Sequence, residues 1–128
     1  MIVGLGTDLM EIGRIQAAVE RWGERFLQRV FTPEEIEYSM RRRNPAPHLA
    51  ARFSAKEAGA KALGTGIARG VSWKDIYVTR ERGQAPQINF KGRGAERLNK
   101  LGQGARAHLT LTHSRELAQA VVVIETGD

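Results

Sequence analysis

Residues 52–66 read RFSAKEAGAKALGTG, and a helix built from them has no broad polar face. At roughly 100° per residue, alanine, glycine, leucine and phenylalanine surround the whole cylinder. A helix that is apolar nearly all round is buried by its neighbours, so the rest of the chain has to wrap this one. The spacing predicts that it starts near His48 and stops at Gly64. The GTG at 64–66 follows a helix instead of opening one. Phosphate favours helix N-termini, so these glycines read as a stop and not as a phosphate loop. Two charges interrupt the apolar surface. Glu57 and Lys61 lie about 40° apart on the wheel. On a surface they would form an ion pair worth about 0.2–0.5 kcal/mol. Among small apolar neighbours, a buried carboxylate instead needs a cation or a metal beside it. Spacing alone leaves both readings open.

The material available for wrapping is that of one domain, residues 1–128. An apolar fraction of 41% is that of a globular chain and excludes disorder as the ground state. No apolar run approaches the roughly 20 residues that cross a bilayer. The opening MIVGLGTDLMEIGRI has no basic n-region and does not read as a signal peptide. Without cysteine there is no disulfide framework and no thiolate zinc site, so a cytoplasmic protein is expected. A net charge of +6 implies an acidic partner: nucleic acid, a membrane surface, an acidic protein or a phosphorylated small molecule. Two Trp, two Tyr and four Phe, none in a basic-aromatic motif, weigh against nucleic acid.

IVGLG, residues 2–6, suits a short buried strand. TDLMEIGRIQAAVERWGERFLQRVF, residues 7–31, reads as one long helix, because Ile12, Ile15, Val19, Trp22, Phe26 and Val30 recur at helical steps. Thr7 or Asp8 could cap it, with Glu11 completing a capping-box pattern. Alternatively, Asp8 at a strand end could offer a hard oxygen to Mg²⁺ together with Glu57. Arg14, Arg21 and Arg25 fall within an arc of about 40°, with Arg29 slightly further round. They form either a solvated face or a surface that docks an acidic helix or a phosphate backbone. Thr32, Pro33, Glu34 and Glu35 start a second helix, and the prolines of RRRNPAP end it. DIYVT and QINF read as a strand pair around RERGQAP. AERLNKLG is a short helix stopped by Gly102, and AHLTLTH with AQAVVVIE forms a closing hairpin. His113 and Ser114 sit at its turn, where both site residues and plain turn residues are common. The expected architecture is α+β: an antiparallel sheet wrapped by a long N-terminal helix and a buried central helix.

GLGTDLMEIGRI, RFSAKEAGAKALGTG and LTLTHS, in this order and at this length, resemble the short, holo-acyl-carrier-protein synthase type of the 4′-phosphopantetheinyl transferase superfamily. The resemblance covers almost the whole chain. F-x-x-K-E-A-x-x-K-A-x-G-T-G is a long motif, paired here with an N-terminal G-x-D. RGQAP stands where a G-K-P-like turn is common, and RRRNPAP lies in a variable region. The resemblance implies transfer of 4′-phosphopantetheine from coenzyme A to a serine of apo acyl carrier protein. The products would be holo acyl carrier protein and adenosine 3′,5′-bisphosphate, in support of fatty acid biosynthesis. It implies Asp8 and Glu57 as Mg²⁺ ligands and Lys61 as the cation that neutralises the coenzyme A phosphates. Arg52, His113 and Ser114 would engage the nucleotide end, with Pro86 on the adenine side. It also implies a homotrimer with active sites at subunit junctions, and docking of the acidic carrier through Arg14, Arg21 and Arg25.

The residue types suit that chemistry, since pyrophosphate cleavage needs positive charge around the attacked phosphorus. The nucleophile comes from the carrier, so no Ser-His-Asp constellation is required. The general base stays open: Glu57 is one candidate, but a carboxylate that holds a metal is a weak base. Two other readings remain. One is the same transfer to polyketide or peptide-synthetase carriers. The other is a non-catalytic basic protein that binds RNA or acidic proteins, which leaves Glu57 unexplained.

Overall fold

The computed structural model describes residues 1–67 and 69–127. Helix α4, Pro45–Leu63, is the axis on which the other elements are laid. RRRNPAP opens this helix instead of delaying it to His48, because first-turn prolines replace N–H groups that have no intrahelical acceptor. Gly64, at φ 83°, closes it as expected.

Strand β1, Ile2–Glu11, pairs antiparallel with β5, Leu117–Glu125, which in turn pairs with β4, Arg106–His113. β1 is twice as long as IVGLG suggested, because TDLME continues the ladder as far as Glu11 opposite Leu117. Asp8 therefore lies within a strand, opposite Ala120, and caps no helix. Helix α1, Ile12–Trp22, begins after Glu11, which makes no side-chain capping hydrogen bond. The single long N-terminal helix is also corrected. Gly23, at φ 54°, separates α1 from α2, Glu24–Val30. The apolar periodicity runs across this break, so only the glycine marks it.

β1 lies directly on α4. A Cβ on Gly4 would overlap the Ala62 carbonyl oxygen, and one on Gly6 the Ala58 carbonyl oxygen. Glycine is what lets a strand approach a helix backbone this closely. Ala118, Ala120, Val122 and Ile124 of β5 fill the same side of the sheet and are fully buried. The opposite face is bare in a single chain: Leu5 is 67% exposed and Leu9 58%.

Helix α3, Pro33–Met40, starts where expected with Thr32 as its N-cap, and Glu35 closes a capping box with it. β2, Ile76–Thr79, and β3, Gln87–Phe90, form a separate two-stranded sheet, and α5 spans Gly92–Lys100, just before Gly102. Glu35 does more than cap. Its Oε1 lies 2.8 Å from Lys56 Nζ of α4, both side chains being fully buried. Oε2 accepts from Val78 N at 2.8 Å. Lys56 Nζ also donates to the carbonyls of Trp73 and Ile76, at 3.1 and 2.7 Å. Burial pushes the Lys56 ammonium down while Glu35 holds it up. This pair ties α3, α4 and β2 together. Among the described residues no helix is long and apolar enough to cross a membrane.

Candidate active site

Asp8, Glu57 and Lys61 are brought together. The Gly4–Gly6 contact seats β1 on the C-terminal half of α4, so Lys61 Nζ reaches Thr7 O at 3.1 Å and Asp8 Oδ1 at 3.3 Å. Asp8 is the enclosed partner at 13% side-chain exposure, against 52% for Lys61. Its Oδ2 is buried and has no hydrogen-bond partner. Burial raises the half-buried Glu57 carboxyl above the usual range, the Asp8 charge raises it further, and Lys61 opposes both. Two hard carboxylates that repel each other, one with an orphaned oxygen, suit a small divalent cation. Among the described residues no third His, Asp or Glu joins them, so such an ion would complete its shell with water and substrate oxygens.

Arg52 and His113 belong to a second cluster. Arg52 lies about 140° round α4 from Glu57, and no hydrogen bond or ion pair among the described residues joins the two groups. Arg52 is only 3% exposed; its Nη1 donates to His48 O at 3.3 Å, and its Nε has no partner. Its guanidinium stacks on Tyr38 at 4.1 Å from the ring centroid, as does Arg42 at 4.2 Å. The His48 ring meets Tyr38 at 6.1 Å and His113 at 5.9 Å. Beside this cluster opens a cleft of 680 Å³ lined by Tyr38, Arg41, Arg42, His48 and residues 80–83. Tyr38, Arg42, His48 and Arg80 were not found from sequence, since they converge from separate elements. Burial, then the Arg52 and Arg42 charges, depress the His48 imidazole. Pro86 lies just before β3 in the same connection that walls the cleft but does not line it. Ser114 Oγ accepts from Glu116 N and Leu117 N at 3.4 and 3.2 Å, so it first of all closes the β4–β5 turn.

Arg14, Arg21 and Arg25 are all exposed, but they do not share one helix. The break at Gly23 leaves Arg14 and Arg21 on α1 and moves Arg25 to α2. There Arg25 and Arg29 flank an apolar groove of 610 Å³ walled by Trp22, Phe26, Phe53 and Trp73. Phe53 and Trp73 stack at 4.8 Å. An apolar groove rimmed by cations fits an amphipathic acidic helix better than a bare cationic stripe would.

Known proteins match this chain over nearly its whole length. The sequence model of the 4′-phosphopantetheinyl transferase superfamily matches residues 4–121. Holo-acyl-carrier-protein synthase of Maricaulis maris is 55% identical over 128 aligned residues, covering 98% of this chain and 90% of that protein. The Methylobacterium sp. (strain 4-46) synthase is 53% identical, covering 98% and 95%. In three dimensions, the crystal structure of the Neisseria meningitidis synthase superposes with a TM-score of 0.87 at 34% identity, covering 98% of this chain and all of the other. The Helicobacter pylori synthase in complex with coenzyme A superposes with a TM-score of 0.82 at 30% identity, covering 94% and 99%. By sequence along its length and by fold, this chain belongs to the 4′-phosphopantetheinyl transferase superfamily, among the holo-acyl-carrier-protein synthases.

Proposed function

We propose that this protein transfers the 4′-phosphopantetheine group of coenzyme A to a serine of an apo acyl carrier protein, in support of fatty acid biosynthesis. The carrying observation is the cluster of Asp8, Glu57 and Lys61, held on one side of α4 in a chain of this family. The serine oxygen attacks the phosphorus that bears pantetheine. The bridging P–O bond of the pyrophosphate breaks, the serine proton leaves to a base, and adenosine 3′,5′-bisphosphate departs. Lys61 supplies fixed positive charge to the pyrophosphate oxygens. Asp8 and Glu57 are the residues that would hold Mg²⁺, which when bound neutralises charge developing on those oxygens. Arg52 and His113, with the cleft beside them, receive the nucleotide end.

Mass spectrometry of apo acyl carrier protein after incubation with coenzyme A, Mg²⁺ and this protein tests the reading. The expected result is a gain of one phosphopantetheine group, abolished by chelator and restored by Mg²⁺. No gain sinks the activity, and transfer indifferent to chelator sinks the metal. A panel that includes polyketide and peptide-synthetase carriers identifies the preferred acceptor.

The carrier is expected to dock on α1 and α2. Arg14→Glu combined with Arg21→Glu should raise the KM for carrier roughly tenfold or more through like-charge contact, and leave that for coenzyme A near wild type. An equal rise for both substrates would remove the docking surface.

Assembly into a homotrimer is part of the same proposal. It is supported by the bare sheet face at Leu5 and Leu9 and by the way one chain keeps its two polar clusters apart on α4. A neighbouring chain could then complete each site. Sedimentation should show three copies of the 14.2 kDa chain, and Leu5→Asp should yield monomers with little activity. A fully active wild-type monomer would exclude the trimer.

A further inference from the structure

We propose that Tyr38 is a positioning residue: its ring sets the Arg42 and Arg52 guanidiniums to recognise a phosphate monoester, the 3′-phosphate of coenzyme A. The assignment rests on the nucleotide site proposed above and adds to it a residue outside the sequence motifs.

One ring carries two guanidiniums, at 4.1 and 4.2 Å, and the edge of His48 at 6.1 Å. Among the described residues, Arg42, Arg52 and Arg80 form no ion pair with any carboxylate. The cleft bordered by Tyr38, Arg42 and Arg80 is lined by a single acid, Glu81, against Arg41, Arg42, Arg80 and Arg82. Arg52 lines an adjoining pocket with Tyr38, Arg41 and Arg80, opposite Glu34 and Glu37. Arg52 is buried with its Nε unpartnered, which is the arrangement of a donor waiting for an acceptor. Clustered cations of this kind repel one another until an anion arrives, and planar arginine forks match the three terminal oxygens of a phosphate monoester.

The ring supplies what the arginines lack. Arg42 has a long, flexible stem, and stacking on an aromatic face holds the fork in place before the ligand binds. Burial raises the Tyr38 hydroxyl, yet the combined fields of Arg52, Arg42 and Arg80 bring it below the ordinary phenol value, in accord with the concentrated positive charge. The ring edges of Tyr38, His48 and His113 run in series from α3 through α4 to the end of β4, so Tyr38 also keys the imidazoles into the same subsite.

The test is calorimetric binding of adenosine 3′,5′-bisphosphate and of adenosine 5′-monophosphate to wild type, Tyr38→Phe and Tyr38→Leu. It is paired with KM and kcat for coenzyme A and 3′-dephospho-coenzyme A. Tyr38→Phe keeps the ring and should bind the bisphosphate within about threefold of wild type. Tyr38→Leu should weaken it about tenfold or more, and raise the KM for coenzyme A in parallel without lowering kcat by more than about twofold. Binding of the monophosphate, and KM for the dephospho substrate, should stay near wild type. If Tyr38→Leu fails to fold, Tyr38→Met carries the same expectation. Equal losses for both nucleotides, no loss in either aliphatic variant, or a Tyr38→Phe as damaged as Tyr38→Leu would overturn the assignment. Should wild type bind the bisphosphate selectively through Tyr38 yet transfer nothing to a carrier, the catalytic reading falls and the Tyr38 assignment is supported.

Discussion

Glu57→Gln and Asp8→Asn are each expected to lower kcat by at least about a hundredfold while leaving the fold as stable as wild type. Both changes keep side-chain size and remove one negative charge. The stability expectation follows from the surroundings of each carboxylate. Asp8 has one oxygen facing Lys61 Nζ at 3.3 Å and the other facing nothing. Because Lys61 is half exposed, that pair contributes no more than about 1 kcal/mol to folding. Glu57 is raised by burial and by the Asp8 charge, so the fold disfavours its ionised form. A neutral glutamine relieves that repulsion, and the metal-free Glu57→Gln chain should melt at or above the wild-type temperature. A side chain that costs stability and yet supports turnover is retained for function. Thermal unfolding with and without Mg²⁺ supplies the second reading: Mg²⁺ should raise the melting temperature of wild type and leave both variants unmoved. Near-normal turnover in either variant would remove that residue from the site. A melting temperature several degrees lower would mean the carboxylate is a structural part.

How far the sequence foretold this arrangement differs from one residue to the next. Local chemistry was legible. The Thr32 N-cap, the stop at Gly64 and the closing hairpin of β4 and β5 depend on residues only a few positions apart. The buried character of α4 was legible too, because a cylinder without a polar face can only be covered. The end of β1 was not. TDLME reads as well for a helix start as for a strand, and what decides is its pairing with LAQAV more than a hundred residues away. Gly23 was hidden by apolar spacing that holds on both sides of the break. The meeting of Asp8 with Lys61 depends on Gly4 and Gly6 admitting a helix backbone, a reason for glycine that single-sequence patterning does not reveal. The Tyr38 cluster joins α3, α4 and β4 beside the β2–β3 connection, and no spacing rule links residues so far apart. Lys56 sits beside Glu57 in the motif but faces the other way, into a pair with Glu35.

That pair gives the largest expected effect on stability. Lys56→Met should destabilise the protein by about 3–5 kcal/mol, because it leaves the Glu35 carboxylate buried without a cation. For a chain of this size the melting temperature should fall by roughly 10–20 °C. The loss has two parts that a second substitution separates. Glu35 also accepts from Thr32 N and Val78 N, and Lys56 also donates to the carbonyls of Trp73 and Ile76. Glu35→Gln discharges the carboxylate but keeps one acceptor oxygen of the two, so either Thr32 N or Val78 N loses its partner. In the double variant no buried charge is left over, although that amide loses its acceptor and the two carbonyls lose their donor. Its destabilisation should therefore be smaller than the sum of the two single changes, with a coupling of about 1–3 kcal/mol in a double-mutant cycle followed by chemical denaturation. Strict additivity would mean that the two charges do not compensate one another. A Lys56→Met chain melting within about 2 °C of wild type would mean that α3, α4 and β2 are held by apolar packing alone. The expected coupling instead makes the pair the device that fixes α3, and with it Tyr38, against the helix that carries Glu57 and Lys61.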